Sequence, residues 1–290
     1  MSILITGAKG LLGTTLAPFL QKFGYSVVTH SRTGEANFLV NLADKKKSFE
    51  MLALIKPSII INLVSLTNVD ICQDMPNMAY LSNTRATENI ADWIIETEAS
   101  CHLIQVSTDH VYDGTELHFE DVVTLTNIYA FSKYAGELAA MRVPSSILRT
   151  NFIGRSKISH RESLSDWVFT SLTNTKQIQV LDDVFFSPLS MNTLVEMIQL
   201  VVETKPIGIF NLGSHNGKSK ADFSFFFADC LNLPTHAMSR IEARQATFIK
   251  TYRPKDMRMN CSKFENALGI KLPQLIDEII RVAKEYDEVA

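Results

Sequence analysis

The chain has 290 residues, of which 46% are hydrophobic and 20% charged, the balance of a globular protein large enough to bury a core without disulfide or metal staples. Lys and Arg number 28 against 31 Asp and Glu, a formal charge of -3, which gives no overall basic footprint for nucleic acid or an anionic membrane. Cys72, Cys101, Cys230 and Cys261 stand far apart with no C-x-x-C pair, so they read as lone thiols rather than a disulfide framework or a zinc site.

Met1 runs directly into a short apolar strand at 2–6. This start carries no basic leader and no apolar h-region, so no signal peptide is expected. No apolar run approaches the ~18 residues of a membrane helix, and a cytoplasmic protein with no membrane partner is expected. A helix is predicted over 11–23, a second strand over 26–30, and a helix over 45–55 that Pro57 ends. Residues 58–64 read as a third strand, in which Ile59, Ile60 and Ile61 run together without alternation, the mark of burial on both faces. A long helix over 78–98, a strand over 102–107, a helix over 129–141 and a strand over 146–149 continue the rhythm. Such alternation with continuous apolar strands predicts an α/β fold, a parallel sheet covered on both faces.

After residue 151 the rhythm weakens. Residues 155–162 are polar and loop-like, 192–203 helical, and 208–212 a sixth strand, with helices over 220–231, 262–267 and 275–286 closing the chain. No repeat, low-complexity tract or Pro/Gly/Ser-rich linker marks a boundary. A sheet domain with a smaller C-terminal lobe is expected, the chain crossing between them more than once.

Gly7-Ala8-Lys9-Gly10-Leu11-Leu12-Gly13 fits G-x-x-G-x-x-G. It follows a strand and opens a helix, the context that gives the pattern meaning. Gly7 allows a tight turn, Gly10 lets the backbone approach a pyrophosphate, and Gly13 lets the helix lie close to the strand; the helix N-terminus offers N–H groups and partial positive charge. This is the expected cofactor loop of a Rossmann-type doubly wound sheet, the alternative being a plain strand–helix turn. The second strand ends at Thr29-His30-Ser31-Arg32. NAD sites usually place an acid here, whereas an arginine accommodates the NADP 2′-phosphate. Ser31 and Arg32 therefore point to NADPH, with NADH as the alternative.

Tyr129-Ala130-Phe131-Ser132-Lys133 is a Tyr-x-x-x-Lys, which puts both functional groups on one helix face. The Lys133 ammonium stabilises a Tyr129 phenolate and lowers the phenol's proton affinity towards working pH, as carbonyl reduction requires. Ser107 and Thr108 follow the fourth strand, and strand ends of this kind line the ligand crevice. Either hydroxyl can hold a substrate carbonyl against Tyr129. A glycine loop, a strand-end hydroxyl and Tyr-x-x-x-Lys together form a joint signal for nicotinamide-dependent reduction.

In these motifs the sequence resembles the extended short-chain dehydrogenase/reductases, and most closely their dTDP-4-dehydrorhamnose reductase branch, over nearly the whole chain. Ser107-Thr108-Asp109-His110-Val111-Tyr112-Asp113-Gly114 is similar to that branch's STDYVFDG. Asn127-Ile128-Tyr129-Ala130-Phe131-Ser132-Lys133-Tyr134-Ala135-Gly136-Glu137 is similar to its NxYGxTKxxGE, and Ile147-Leu148-Arg149-Thr150 to its LRT segment. Arg253-Pro254-Lys255-Asp256-Met257-Arg258-Met259, then Leu268-Gly269-Ile270 and Leu272-Pro273, is similar to its RPKxSRLD…GIxLP.

The resemblance implies a catalytic triad of Thr108, Tyr129 and Lys133. It implies a pyrophosphate site at Gly7, Lys9, Gly10, Leu11, Leu12 and Gly13, with Asn41 and Leu42 near the adenine. Val64, Ser65 and Thr67 lie along the cofactor in this reading, and Asn83 backs the site from its helix. Val69, Thr108, His110, Asn151, Phe152 and Arg253 are the residues expected nearer the sugar nucleotide. The dinucleotide-binding domain is then 1–151 with 188–214 returning to it, and the substrate-binding lobe 152–187 and 215–290. The likeness also implies a homodimer. His110 replaces the branch's Tyr, Ala130 its Gly, Leu125 its Pro, and Asn151-Phe152 its Ser-Trp pair, departures that bear on which sugar is bound. His110 is expected to pack, with an additional proton donor as the alternative. Thr14 and Thr15 stand where some members carry a glutamate of a Mg2+ site, so no metal is expected.

The implied activity is NADPH-dependent reduction of the C4 ketone of a nucleotide-linked 4-keto-6-deoxy sugar, in dTDP-rhamnose and cell-surface polysaccharide biosynthesis. Two alternatives stand beside it. A sugar-nucleotide dehydratase or epimerase of the same superfamily usually carries Thr-Asp-Glu at the strand end, where this chain has Thr108-Asp109-His110. The regulatory subunit of methionine adenosyltransferase is similar to the same branch and works by binding an enzyme partner, which makes a non-catalytic NADP-binding subunit the other alternative.

Overall fold

Ile3, Leu4 and Ile5 are fully buried and form β1 (Ser2–Thr6), at the heart of a seven-stranded sheet. The structure, a computed structural model, describes residues 2–159 and 161–287. Met1, His160 of the expected polar loop, and residues 288–290 lie outside the described residues. After β1 come α1 (Gly13–Lys22), β2 (Ser26–Ser31), β3 (Phe38–Leu39), α2 (Lys45–Ile55) and β4 (Ile59–Asn62). Then follow α3 (Val69–Asp74), α4 (Pro76–Tyr80), a π-helical turn at Leu81–Arg85, α5 (Ala86–Glu96), β5 (His102–Val106), α6 (Ile128–Ala140) and β6 (Ser145–Thr150). The remainder holds β7 (Phe152–Ile153), α7 (Leu164–Thr173), β8 (Ile178–Leu181), β9 (Phe185–Phe186), β10 (Leu189–Ser190), α8 (Met191–Thr204), β11 (Gly208–Leu212), β12 (Lys218–Ser219), α9 (Lys220–Cys230), β13 (Met238–Ile241), α10 (Ser262–Leu268) and α11 (Leu275–Asp287).

The sheet order is β11-β6-β5-β4-β1-β2-β3. Neighbours from β3 through β6 are parallel, with Ile3 opposite both Val27 and Ile59, and Ile59 opposite His102. Strand order reverses between β1 and β4, which creates the switch point where α/β sheets bind ligands, at the carboxyl ends of the strands. The expected α/β doubly wound sheet is therefore present. No helix among the described residues is long and apolar enough to cross a membrane.

The chain divides into two compact units. The first comprises Met1–Thr108, Asn127–Arg149 and Val195–Phe210; the second comprises Asp109–Thr126, Thr150–Leu194 and Asn211–Ala290. This division differs from the boundaries expected above at 109–126, 150–151, 188–194 and 211–214. The first unit's core gathers Leu52, Ile60, Ile90, Trp93, Leu103 and Ile147 around the sheet. The second unit's core is aromatic: Phe223 stacks on Phe227 at 5.9 Å between ring centroids, and Phe227 meets the edge of Tyr286 at 5.3 Å.

Local differences from the expected elements have local causes. The third strand stops at Asn62, two residues early, because the chain must turn where Leu63 and Val64 pass the glycine loop. The long helix starts earlier, at Pro76, which suits a first helical position. It also carries the π turn in its middle, and no helical periodicity announces such a bulge. Strands of two residues such as β3, β7 and β10 are too short to show alternation. Helix α7 went unrecognised although Ser163 and Asp166 form a complete capping box at its start, a signature readable in sequence.

Candidate active site

The glycine loop is built by close approach. Gly7 has φ of +69°, and a Cβ there would lie 3.0 Å from the backbone of Leu63 and Val64. At Gly13 a Cβ would fall 2.6 Å from the Ala8 backbone. Only residues without a side chain let the loop fold back on itself and rest on the exit of β4. The turn is closed by the Gly10 N–H donating to the Gly7 carbonyl at 2.9 Å and the Ala8 N–H donating to the His30 carbonyl at 2.9 Å. Helix α1 then opens with no side-chain cap and no acidic residue in its first turn, so its dipole meets no competing carboxylate there, while the Thr14, Thr15 and Leu16 N–H groups bond the Gly10 and Leu12 carbonyls. A backbone cradle of this kind fits the pyrophosphate of a dinucleotide.

The remaining expected cofactor residues of the first unit follow the carboxyl ends of successive strands. Ser31 is buried at the end of β2, and Arg32 is exposed just beyond it. Arg32 and Asn41 line one cavity of about 490 Å³ with residues of 74–82, among them Asp74, Met78 and Ser82. Leu42 is buried in the core, and its carbonyl accepts from Ser48 Oγ and Asn89 Nδ2. Val64, Ser65 and Thr67 form the loop after β4. Asn83 is 1% exposed and sits in the π turn. Its Oδ1 accepts from the Leu66 N–H at 2.7 Å and from Ser65 Oγ, while its Nδ2 donates to the Leu66 carbonyl and to Ser132 Oγ. Asn83 thus ties the 65–66 loop to α6, and a Cβ at Gly136 would collide with the Asn83 carbonyl. The π turn widens the helix just where α6 must come close, in keeping with the placement of such bulges at functional sites.

Helix α6 carries Tyr129 and Lys133. Asn127 caps its start by accepting from the Ala130 N–H at 2.9 Å. Tyr129 is buried in an apolar cluster with Val69, Cys72 and Ala79, so Val69, expected near the sugar nucleotide, packs with the tyrosine in the first unit. Lys133 is 4% exposed, and its Nζ donates to the Val106 carbonyl at 2.8 Å. That contact pins the lysine to the end of β5, two residues before Thr108. Burial pushes the Lys133 ammonium down to about 8, against an upward pull from Glu137 one turn further on. Glu137 and Arg149 form a fully buried ion pair: Arg149 Nη2 lies 2.7 Å from Oε2, and Nε lies 3.1 Å from each carboxylate oxygen. The Ser107 hydroxyl donates to the same carboxylate. Of the two strand-end hydroxyls, Ser107 is therefore committed to Glu137.

In the second unit the expected residues meet a partner the sequence did not single out. Asn151 Nδ2 donates to Asp109 Oδ2 at 2.7 Å. Asp109 attracts the Lys220 ammonium, whose charge burial and Arg253 oppose. Burial, then the charges of Lys220 and Arg253, hold the His110 imidazole down to about 3. A ring held down in this way favours its neutral form. Phe152 is half-buried in β7, paired with Leu189 of β10. Lys220 also lines a cavity of about 1000 Å³ with Trp167, Ser224, His236 and Phe248. Nothing in the sequence marks this lysine beyond its place after Ser219, the N-cap of α9.

The chain matches the family described as RmlD substrate binding domain over residues 1–288. It is 25% identical to the "Probable low-salt glycan biosynthesis reductase Agl14" of Haloferax volcanii over 99% of both chains. It is 26% identical to methionine adenosyltransferase 2 subunit beta of Rattus norvegicus, covering 92% of this chain and 82% of that one. The structure superposes on the dTDP-4-dehydrorhamnose reductase of Bacillus anthracis, solved in complex with NADP, with a TM-score of 0.88 and 22% identity over 98% of this chain and 99% of that one. At that identity the superposition speaks for the fold. With the family matched nearly end to end, the chain belongs to the RmlD substrate binding domain family, among the extended short-chain dehydrogenase/reductases.

Proposed function

We propose that the protein is a reductase that uses NADPH to reduce the C4 ketone of a nucleotide-linked 4-keto-6-deoxy sugar. The observation that carries this reading is the pairing of Tyr129 and Lys133 on α6, with Lys133 pinned to the strand end beside Thr108. NADPH held at the glycine loop supplies the hydride. Tyr129 donates its phenolic proton to the oxygen of the reduced carbonyl. Lys133 stabilises the phenolate left behind, and burial makes that attraction stronger than it is in water. Thr108 donates a hydrogen bond that orients the ketone.

The first unit is the dinucleotide-binding domain in this reading. Residues 7–13 and the start of α1 hold the pyrophosphate, Arg32 the 2′-phosphate, Asn41 and Leu42 the adenine, and Val64, Ser65 and Thr67 the rest of the cofactor. The second unit binds the substrate: Lys220 and Arg253 neutralise its diphosphate, and Asn151 and Phe152 lie by the sugar. The glycan-biosynthesis reductase among the relatives supports a place in making a surface polysaccharide, with a dTDP-rhamnose type of product.

The test is turnover of dTDP-4-keto-6-deoxyglucose, read by loss of NADPH absorbance, with and without a 3,5-epimerase. Turnover that falls about 10²- to 10⁴-fold in Tyr129→Phe, with NADPH still bound, is the expected result. Tight NADPH binding with no turnover of either substrate overturns the sugar assignment. A second reading is favoured by the identity to methionine adenosyltransferase 2 subunit beta over 92% of the chain: a nicotinamide-binding subunit of another enzyme. Co-elution with a methionine adenosyltransferase on a sizing column, without reductase turnover, would establish it instead.

A further inference from the structure

The segment that follows the strand-end threonine carries more than the residues already assigned. Within residues 109–113, Asp109 attracts the Lys220 ammonium, the charges of Lys220 and Arg253 bear on His110, and Asp113 reaches the chain on both sides of Arg253. Asp113 Oδ2 accepts from the Tyr252 hydroxyl at 2.9 Å. Its Oδ1 accepts from the Lys255 N–H at 2.8 Å. Pro254, buried between them, fixes its own φ and stiffens the span. The Lys255 carbonyl in turn accepts from the Phe185 N–H at 2.6 Å, and Lys255 Nζ lies 2.9 Å from Asp183 Oδ2. The guanidinium itself is steadied by Nη1 donating to the Thr251 carbonyl at 2.9 Å.

We infer that Asp113 is a positioning residue for Arg253: one carboxylate clasps the residue before the arginine by its side chain and a residue after it by its backbone, and so aims the guanidinium into the anion seat that it shares with Lys220. The inference rests on the reading of Arg253 as a contact for the nucleotide diphosphate. Its physical basis is that a flexible strap carrying a cation loses ordering entropy when the cation engages an anion; a strap held at both flanks has lost that entropy on folding, so the anion is bound more tightly. The charge-assisted bonds at Asp113 are of the stronger kind. Asp113 itself touches no substrate in this account.

The experiment measures dTDP affinity by calorimetry, and the KM and kcat of the reductase reaction, on the full chain. Asp113→Asn is expected to weaken dTDP about 10-fold and raise KM by a similar factor, with kcat changing less than KM. Tyr252→Phe removes one bond of the clasp and leaves the other, so about 3-fold weakening is expected. It carries the test if Asp113→Asn fails to fold. Asp113→Glu is expected to recover part of the affinity. In an Arg253→Ala background Asp113→Asn is expected to have no further effect, since the two act in series. An Asp113→Asn protein that keeps wild-type dTDP affinity while Arg253→Ala loses it overturns the positioning role. Equal losses from Asp113→Asn with and without Arg253 overturn it too, as a general structural effect. An Arg253→Ala protein that keeps wild-type affinity instead overturns the reading beneath it.

Discussion

Tyr129, Lys133 and Glu137 follow one face of a single helix, each one turn from the next, and the strand-end residues Val106 and Ser107 complete the charged centre of the first unit. In the second unit the corresponding centre is assembled from Asp109, His110, Asn151, Lys220 and Arg253, drawn from four separate stretches of chain. In the first centre Arg149 pairs with Glu137, Ser107 donates to the same carboxylate, and Lys133 donates to the Val106 carbonyl. In the second, Lys220 and Arg253 act electrostatically with Asp109 and His110. Each set holds two cations and one carboxylate, but the first is built on one helix and the strands beside it, the second on separate stretches of chain. The difference teaches that charges one turn apart are placed by local structure, whereas charges far apart in sequence meet only through the fold.

Breaking the buried Arg149–Glu137 pair is expected to have the largest effect. Arg149→Met leaves the Glu137 carboxylate buried without its partner and is expected to cost about 3–5 kcal/mol in urea unfolding, with much of that recovered in a Glu137→Leu/Arg149→Met double variant. A double variant no better than the single would show that the pair is held for something other than mutual compensation. In the second centre, Lys220→Met removes one of two cations, so dTDP affinity is expected to fall about 10-fold or more, with a smaller loss of stability than Arg149→Met gives. Loss of stability without loss of dTDP affinity would make the two centres alike. Gly13→Ala forces a methyl group against the Ala8 backbone and is expected to cost about 1–3 kcal/mol and to weaken NADPH binding.

The smallest effect is a pH slope. The Lys133 ammonium titrates at about 8 in the fold against 10.5 unfolded. Between those values the unfolded chain binds more protons, so this group makes stability rise as pH rises from about 8 to 10.5. Its contribution is least favourable below about pH 8, where both states are protonated and the fold must bury the charge. Lys133→Met is therefore expected to flatten the slope of unfolding free energy across that range in denaturant titrations. An identical slope in both proteins would mean that the lysine is better solvated than its burial implies.

Much of the first unit was legible because its signals are local. The turn-then-helix glycine pattern, the apolar run at Ile59–Asn62 and the i, i+4 spacing of Tyr129 and Lys133 each depend on neighbours a few residues away. Arg32 and Asn41 were named separately, and the fold brings both to one cavity. The π turn at Asn83 was not legible, since one extra residue in a helical turn leaves the apolar pattern nearly unchanged. In the second unit Arg253 and Asn151 were named by likeness, while Lys220 and Asp113 were passed over. A lysine that opens a helix and an aspartate before a glycine are ordinary surface signals until the fold half-buries one and brings the other to a strap 142 residues away.

The amino-acid sequence by itself determined the parallel sheet, the glycine loop and the helix that pairs a tyrosine with a lysine, because hydrophobic burial and backbone sterics act over the length of one element. Only the tertiary structure decided that Ser107 is taken by Glu137, that burial and neighbouring cations push the His110 imidazole down, and that Asp113 holds the chain on both sides of Arg253. These are consequences of desolvation and of charges meeting across long sequence separations, and both quantities exist only once the chain has folded.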